Sequence, residues 1–210
     1  MPVDPPPGMR ISDRGRGDGA AAAAAALSWA AVAVGFVLLL GRLWLIREGA
    51  LSPPMLAVVF GALAAASLAG PQDPPSATAV RARAPLPPMA AMALGAVAVG
   101  GAAVARARSG PAISSRTTLV VVVAVVGAAI AEEAFFRRLL YGRLLRLGPA
   151  VAVVGSALAF GAVHVPLHGT ASFPVDLGAG LVLSWQRWAG GRWEVPAATH
   201  ALANVLAVAR

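Results

Sequence analysis

Cysteine and lysine are both absent from this sequence, and charged residues of any kind are scarce. Without a single cysteine, the chain can form no disulfide and offers no thiol nucleophile and no cysteine metal ligand. Charged residues make up only 12% of the chain, roughly half the share of about 25% found in soluble domains. These absences exclude disulfide scaffolds and thiol enzymes, and they argue against a soluble domain.

The positive net charge of +8 comes entirely from arginine. The arginines stand singly or in small groups between apolar runs, which is typical of loop charges that anchor membrane spans in anionic lipid. Basic runs with interleaved aromatic residues, the signature of a nucleic-acid-binding surface, are missing. We therefore expect the lipid bilayer, and not nucleic acid, as the partner of this charge.

Hydrophobic residues dominate the chain, at 58% of 210 residues with a mean hydropathy of +0.74. A soluble domain is about 45–50% apolar, so the composition predicts an all-α, polytopic transmembrane bundle. Turn and proline signals divide the apolar sequence into about seven helical runs. These runs cover residues 20–46, 55–69, 86–105, 117–147, 149–165, 174–189 and 193–210.

The chain divides into three parts by composition. Residues 1–19 are rich in Pro, Gly, Arg and Asp, and we expect a disordered tail there. Residues 20–116 form the first transmembrane helices, and the opening run is too long for a signal-peptide core, which favours a retained anchor. Residues 117–210 carry the polar motifs described below. Arginine counts predict a multi-pass protein of the cell membrane with a cytoplasmic amino terminus.

Two adjacent glutamates, Glu132 and Glu133, end an apolar stretch over 118–131 that has no charge. A charge inside a bilayer costs at least about 3 kcal/mol, so an intramembrane carboxylate is a functional hypothesis by default. An interfacial helix end is the competing interpretation, because arginines follow soon after. Glu133 and Arg137 have the i,i+4 spacing that favours a helix ion pair. Glu132 points about 100° away from Glu133 and stays free for chemistry.

His164 is predicted to meet Glu132. Each lies 16 residues from Gly148, at the turn between two runs, and so about 24 Å from that turn along its own helix. An antiparallel pair of helices therefore brings these two side chains to one depth.

The last run adds His200 and Asn204, whose i,i+4 spacing places both on one helix face. Counting from the preceding turn puts Asn204 near the level of Glu132 and His164, with His200 about one turn shallower. A carboxylate in an apolar cavity can accept a proton from water, and an imidazole opposite it can orient that water. A second histidine and an asparagine can donate hydrogen bonds to an oxyanion. The four residues predict peptide hydrolysis without a serine or cysteine nucleophile.

Three motifs in this order resemble those of a known family. Glu132-Glu133-x-x-x-Arg137, Phe160-x-x-x-His164 and His200-x-x-x-Asn204 look like the motifs of the CPBP family. That family groups CAAX prenyl endopeptidases with bacteriocin-processing and self-immunity membrane proteins, also called Abi or lysostaphin-resistance-like. The resemblance covers residues 117–210 and implies an intramembrane endopeptidase acting on a membrane-associated or prenylated, CAAX-type peptide. It implies that Glu132 and His164 activate water, that His200 and Asn204 stabilise the oxyanion, and that Glu133 and Arg137 support them.

The metal dependence of such a site stays open. Members of the family are often labelled metalloproteases, and zinc held by Glu132, His164 and His200 is one option. We expect no metal cofactor, because no His-Glu-x-x-His motif is present and His200-x-x-x-Asn204 is a poor zinc pair.

The class of function also stays open. A non-enzymatic bacteriocin-immunity or scaffold protein with the same fold would fit these motifs, and so would an ion pathway through the paired carboxylates. His168, expected in a loop without a partner, and Asp176, expected at an interface, are assigned no role.

Overall fold

The computed structural model describes residues 11–49, 52–69, 85–100 and 115–208. Within those ranges the chain forms seven helices and no strand, which confirms the predicted all-α class. The helices are α1 (Ile11–Arg47), α2 (Pro53–Ala69), α3 (Pro88–Gly95), α4 (Ser115–Glu133), α5 (Pro149–His168), α6 (Phe173–Gly190) and α7 (Glu194–Val208).

Three helical stretches in the described ranges are long and apolar enough to cross a membrane: Ala22–Arg47, Leu119–Leu147 and Pro149–His168. Two shorter apolar helices, Pro54–Ala69 and Pro88–Val99, lie beside them. Helix α5 packs mainly against α6, and α7 packs mainly against α4, while α2 contacts both α1 and α4. Helix α4 therefore meets both the amino-terminal helices and the last one.

Helix α4 does not end at the glutamates. It continues as a π-helical segment, Ala134–Leu140, then as Tyr141–Leu144 and a 3₁₀ turn, Leu145–Leu147. Short π segments are frequent at functional sites, because the wider turn re-aims side chains. Two carbonyls of this segment accept bonds from other helices: Ser156 Oγ donates to the Phe136 carbonyl at 2.9 Å, and Arg187 Nε to the Arg137 carbonyl at 3.1 Å.

An aromatic cluster forms the core around this π segment. Phe135 and Phe136 are fully buried and meet edge to face, with ring centroids 4.9 Å apart. Phe136 meets Phe160 of α5 in the same way at 5.4 Å. Helix α1 approaches so closely that a Cβ atom added at Gly35 would lie 2.1 Å from the Phe135 ring. Glycine at that position therefore permits α1 to come this close to the segment that continues α4.

Gln186 joins α3 to the carboxy-terminal helices. Its fully buried side chain donates from Nε2 to the Ala91 carbonyl of α3 and to Thr199 Oγ1 of α7, each at 2.8 Å. A Cβ atom at Gly95 would lie 2.1 Å from the same amide nitrogen. Because Gly95 has no side chain, the Gln186 amide fits beside it. Hydrogen bonds from this amide therefore hold α3 against α6 and α7.

Two turns of different depth position the helices of the site. Gly148 has φ +115°, a conformation that favours glycine, and Pro149 follows at the start of α5. Gly191, with φ +66°, closes α6, and the Leu86 amide donates to the Ala189 carbonyl at 3.1 Å. The end of α6, Gly190 and Gly191, is therefore buried against other parts of the bundle, while Arg192 in the turn is exposed.

Two predicted boundaries were wrong. Helix α1 begins at Ile11 and not near residue 20, because no proline interrupts residues 11–47 and helix growth adds one hydrogen bond per residue fixed. Residues 1–10 of the predicted tail lie outside the described residues. Helix α5 runs through Pro166 to His168, since an internal proline removes one backbone bond without ending the helix. The carboxy-terminal part of the third predicted run, from residue 101, also lies outside the described residues.

Candidate active site

The two adjacent glutamates face different partners, as their 100° separation on a helix predicts. Glu132 is directed toward α1 and α5, where it meets Arg42 and His164. Glu133 is directed toward α7 and its own helix, where it meets His200 and Arg137. Both carboxylates are buried, so each needs the opposite charge that stands beside it.

Glu132 uses its two oxygens differently. Oε1 accepts a hydrogen bond from Arg42 Nη1 at 3.0 Å. Oε2 faces His164 Nε2 at 3.9 Å, which is beyond direct hydrogen-bond range but suits a bridging water. The predicted meeting of Glu132 with His164 is confirmed. Glu132 is only 5% exposed and lies close to the middle of the candidate span Leu119–Leu147.

His164 is oriented by its own helix. Its Nδ1 lies 2.7 Å from the Phe160 carbonyl oxygen, and a carbonyl only accepts, so Nδ1 carries the proton of this bond. The Phe160 ring packs beside the imidazole, with centroids 4.5 Å apart. The Nε2 atom is thereby left facing Glu132, and in the neutral ring it holds a lone pair there.

Glu133 and Arg137 form the predicted ion pair, with Oε1 3.1 Å from Nη1 and neither side chain exposed. Arg137 also donates from Nη2 to the Gly180 carbonyl of α6 at 3.2 Å. Its guanidinium lies over the Phe160 ring, 4.6 Å from the ring centroid. Such a cation–π contact is more strongly stabilising when it is shielded from water. Glu133 and Arg137 therefore hold α4, α5 and α6 together beside Glu132.

The expected order of the α7 residues was wrong. His200, predicted to lie shallower, is at the level of the glutamates, with Nδ1 3.0 Å from Glu133 Oε1. Asn204, predicted to reach that level, lies beyond it and donates from Nδ2 to the Val125 carbonyl at 3.4 Å. Val125 is seven residues before Glu132, on the same face of α4 and about 10 Å along its axis.

The physical reason is the depth of the turn before α7. The prediction assumed that this turn and the Gly148 turn lie at one level. His200 meets Glu133 nine residues after Gly191, whereas Glu133 lies 15 residues before Gly148, so α7 starts deeper in the bundle. His200, only six residues after Glu194, therefore already reaches Glu133.

His168 also differs from its predicted surroundings. His168 ends α5 and is not in a loop; its ring stacks on His164, with centroids 5.8 Å apart. Its Nδ1 lies 3.6 Å from Asp176 Oδ2. Both observations contradict a loop residue without a partner, and they follow from the helix continuing past Pro166.

Arg42 is the residue that sequence reasoning missed. Like the other arginines, it was interpreted as a loop charge that anchors the membrane spans, yet it is 6% exposed and pairs with Glu132. Its guanidinium lies 5.2 Å from the Phe60 ring centroid of α2. The available signal was a single arginine inside an apolar stretch, Ala22–Arg47, in a chain that has an intramembrane carboxylate to pair with it.

The three residues considered as zinc ligands all have other partners in the structure. The three proposed ligands would have to meet at one point about 2.0–2.2 Å from each. His200 directs Nδ1 at Glu133, and the cationic Arg42 stands against Glu132 Oε1. Among the residues that the structure describes, no group of three or more His, Asp or Glu side chains is placed to hold a metal ion.

One comparison with known proteins finds a family that is similar to the segment holding this site. Residues 114–206 match the family described as type II CAAX prenyl endopeptidase Rce1-like, a little under half of the chain. No curated protein and no solved structure matches the sequence. The matched segment holds both glutamates, His164, His200 and Asn204, and the matched family together with the apolar helices identifies a membrane protein. The carboxy-terminal part of this chain, residues 114–206, is thus similar to the Rce1-like family of type II CAAX prenyl endopeptidases.

Proposed function

We propose that this protein is an intramembrane endopeptidase that hydrolyses a peptide bond in a membrane-associated or prenylated, CAAX-type peptide. The observation that carries the proposal is the pairing of Glu132 Oε2 with His164 Nε2 at 3.9 Å, buried in the middle of a candidate span. The similarity to this family supports the same class of reaction.

Water is the nucleophile in this proposal. A water between the two groups donates one proton to Glu132 Oε2 and the other to the His164 Nε2 lone pair, so its oxygen lone pair faces the substrate carbonyl. As the oxygen attacks the carbonyl carbon, its proton passes to Glu132. The tetrahedral intermediate then collapses, the C–N bond breaks, and Glu132 returns the proton to the leaving amine.

Oxyanion stabilisation is assigned to α7. The Nδ1 proton of His200 is directed at Glu133, so His200 donates to an oxyanion from Nε2, in the form that carries both ring protons. Asn204 holds only a long bond of 3.4 Å to the Val125 carbonyl. Such a bond is easily exchanged, so Asn204 is proposed to turn toward the substrate backbone when the peptide binds.

The surroundings of the site complete the proposal. We propose that the reaction needs no metal, because Arg42 already supplies the positive charge beside Glu132 Oε1. We also propose a multi-pass protein of the cell membrane with a cytoplasmic amino terminus. The bilayer and a membrane-associated peptide or protein are then its partners.

The test is cleavage of fluorogenic membrane peptides by the purified protein in nanodiscs. Glu132→Gln is expected to lower the rate at least about a hundredfold, since general acid–base catalysis contributes about 10²–10⁴. Glu194→Gln is the matched control, because Glu194 is exposed and pairs with the exposed Arg192. A zinc chelator is expected to leave the rate unchanged.

Equal cleavage by wild type and Glu132→Gln would refute the mechanism. Rate loss on chelation, restored by zinc, would refute its metal independence. A cellular phenotype that survives Glu132→Gln, with no cleavage, would favour an immunity or scaffold protein.

A further inference from the structure

Arg42 has donors that the proposed reaction does not use. Its side chain is 6% exposed, and Nη1 is engaged by Glu132. The two remaining nitrogens, Nε and Nη2, are buried and have no hydrogen-bond partner. Buried donors are almost always satisfied, so an unpartnered pair of N–H groups needs an explanation.

The free donors lie on one edge of the guanidinium. The Nε–H and Nη2–H bonds of an arginine point the same way, and this planar fork matches the two oxygens of a carboxylate. The Phe60 ring, 5.2 Å from the guanidinium carbon, supports the plane of the fork. The Nη1 contact to Glu132 lies off this edge, so a second carboxylate can bind without displacing the first.

The charges in the cluster cancel in pairs, Glu132 with Arg42 and Glu133 with Arg137. A further carboxylate would therefore be held by the unpartnered N–H donors of Arg42 and not by an excess of positive charge. The free edge of Arg42 also lies within about two or three extended residues of Glu132 Oε2, at roughly 3.3 Å per residue. A bound carboxylate would therefore sit close to the peptide bond that the site attacks.

We propose that the Nε–Nη2 edge of Arg42 binds a carboxylate group of the peptide substrate, and so determines which peptides are held against Glu132. The proposal rests on the proposed peptidase function. Arg42 lies in α1, outside the matched residues 114–206, so the similarity to this family assigns it no role. The carboxylate can be the terminal one of a peptide or the side chain of an acidic residue near its end.

The probes are three fluorescent, amino-terminally acylated octapeptides of Ala and Leu with N-methylated amide bonds, which resist hydrolysis. One has a free carboxy terminus, one is amidated, and one is amidated with Glu as its last residue. Binding is measured to the full chain in nanodiscs of phosphatidylcholine. The free terminus is expected to bind about tenfold to a hundredfold more tightly than the amide, as a charge-assisted pair of hydrogen bonds predicts.

The variants separate recognition from folding. Arg42→Lys keeps a cation for Glu132 but removes the planar pair of donors, and Arg42→Gln removes both. In each variant, the ratio of the affinities for the free and the amidated peptide is expected to fall close to one. Arg47→Gln is the matched control on the same helix, because Arg47 is exposed, and it is expected to keep the preference. Thermal unfolding of Arg42→Lys checks that the bundle is intact.

Equal binding of the free and amidated peptides to the wild type, binding of neither, or a preference that persists in Arg42→Gln would overturn the proposal. Tight binding of the Glu-terminated amide would add side-chain carboxylates to the terminal one as ligands. Cleavage of the unmethylated peptides, measured in parallel, keeps the two proposals distinguishable. A carboxylate preference without cleavage would refute the peptidase alone, and cleavage without a preference would refute the role of Arg42 alone.

Discussion

Glu133→Gln isolates the energetic role of the second carboxylate. Arg137 is fully buried and Glu133 is the charge that balances it at 3.1 Å, so the neutral amide leaves a guanidinium in the core without a counter-charge. Its other contacts are the Gly180 carbonyl and the Phe160 ring. Removing one partner of a buried ion pair costs about 3–5 kcal/mol. We expect the free energy of unfolding in mixed detergent to fall by that amount.

A second substitution tests the cause of this loss. In Glu133→Gln/Arg137→Met, the buried guanidinium is removed together with its counter-charge, the new amide oxygen can still accept from His200 Nδ1, and an apolar side chain fills the space beside Phe160. Replacing both partners of a buried pair is often neutral, so most of the stability should return. Arg192 and Glu194 form the comparison pair, 3.5 Å apart and roughly half exposed, where Glu194→Gln should cost less than about 1 kcal/mol. A loss for Glu133→Gln no larger than for Glu194→Gln would refute the reasoning.

Two further predictions concern packing and the oxyanion site. Gly35→Ala should destabilise the protein by about 1–3 kcal/mol, because the added methyl overlaps the Phe135 ring. Gly41→Ala on the same helix meets open space and should be neutral or stabilising. Equal changes of the unfolding temperature in the two variants would contradict this account of the packing. Asn204→Ala removes one long hydrogen bond, so the free energy of unfolding should change by less than about 1.5 kcal/mol. Its cleavage rate should still drop by about 10²–10³ if Asn204 binds the oxyanion, and an unchanged rate would remove it from the mechanism.

Much of the site could be predicted from local sequence. Uninterrupted apolar runs predict helices by length and composition alone, and i,i+4 spacing predicts the contact between Glu133 and Arg137. Glu132 and His164 are equally far from one tight turn, and the two antiparallel helices joined there must bring them together. These inferences hold because they depend on helix geometry and on one short connection.

The rest depended on how separate helices pack. Arg42 and Glu132 are 90 residues apart in sequence, and their meeting depends on the close approach of Gly35 to Phe135. The order of His200 and Asn204 depends on how deep the turn before α7 lies in the bundle. The periodicity of the sequence does not reveal that depth. The sequence by itself therefore determined the helices, the paired carboxylates and their nearest histidine. Only the tertiary structure decided which arginine faces Glu132 and which α7 residue meets Glu133, because helix register is set by side-chain packing between distant segments.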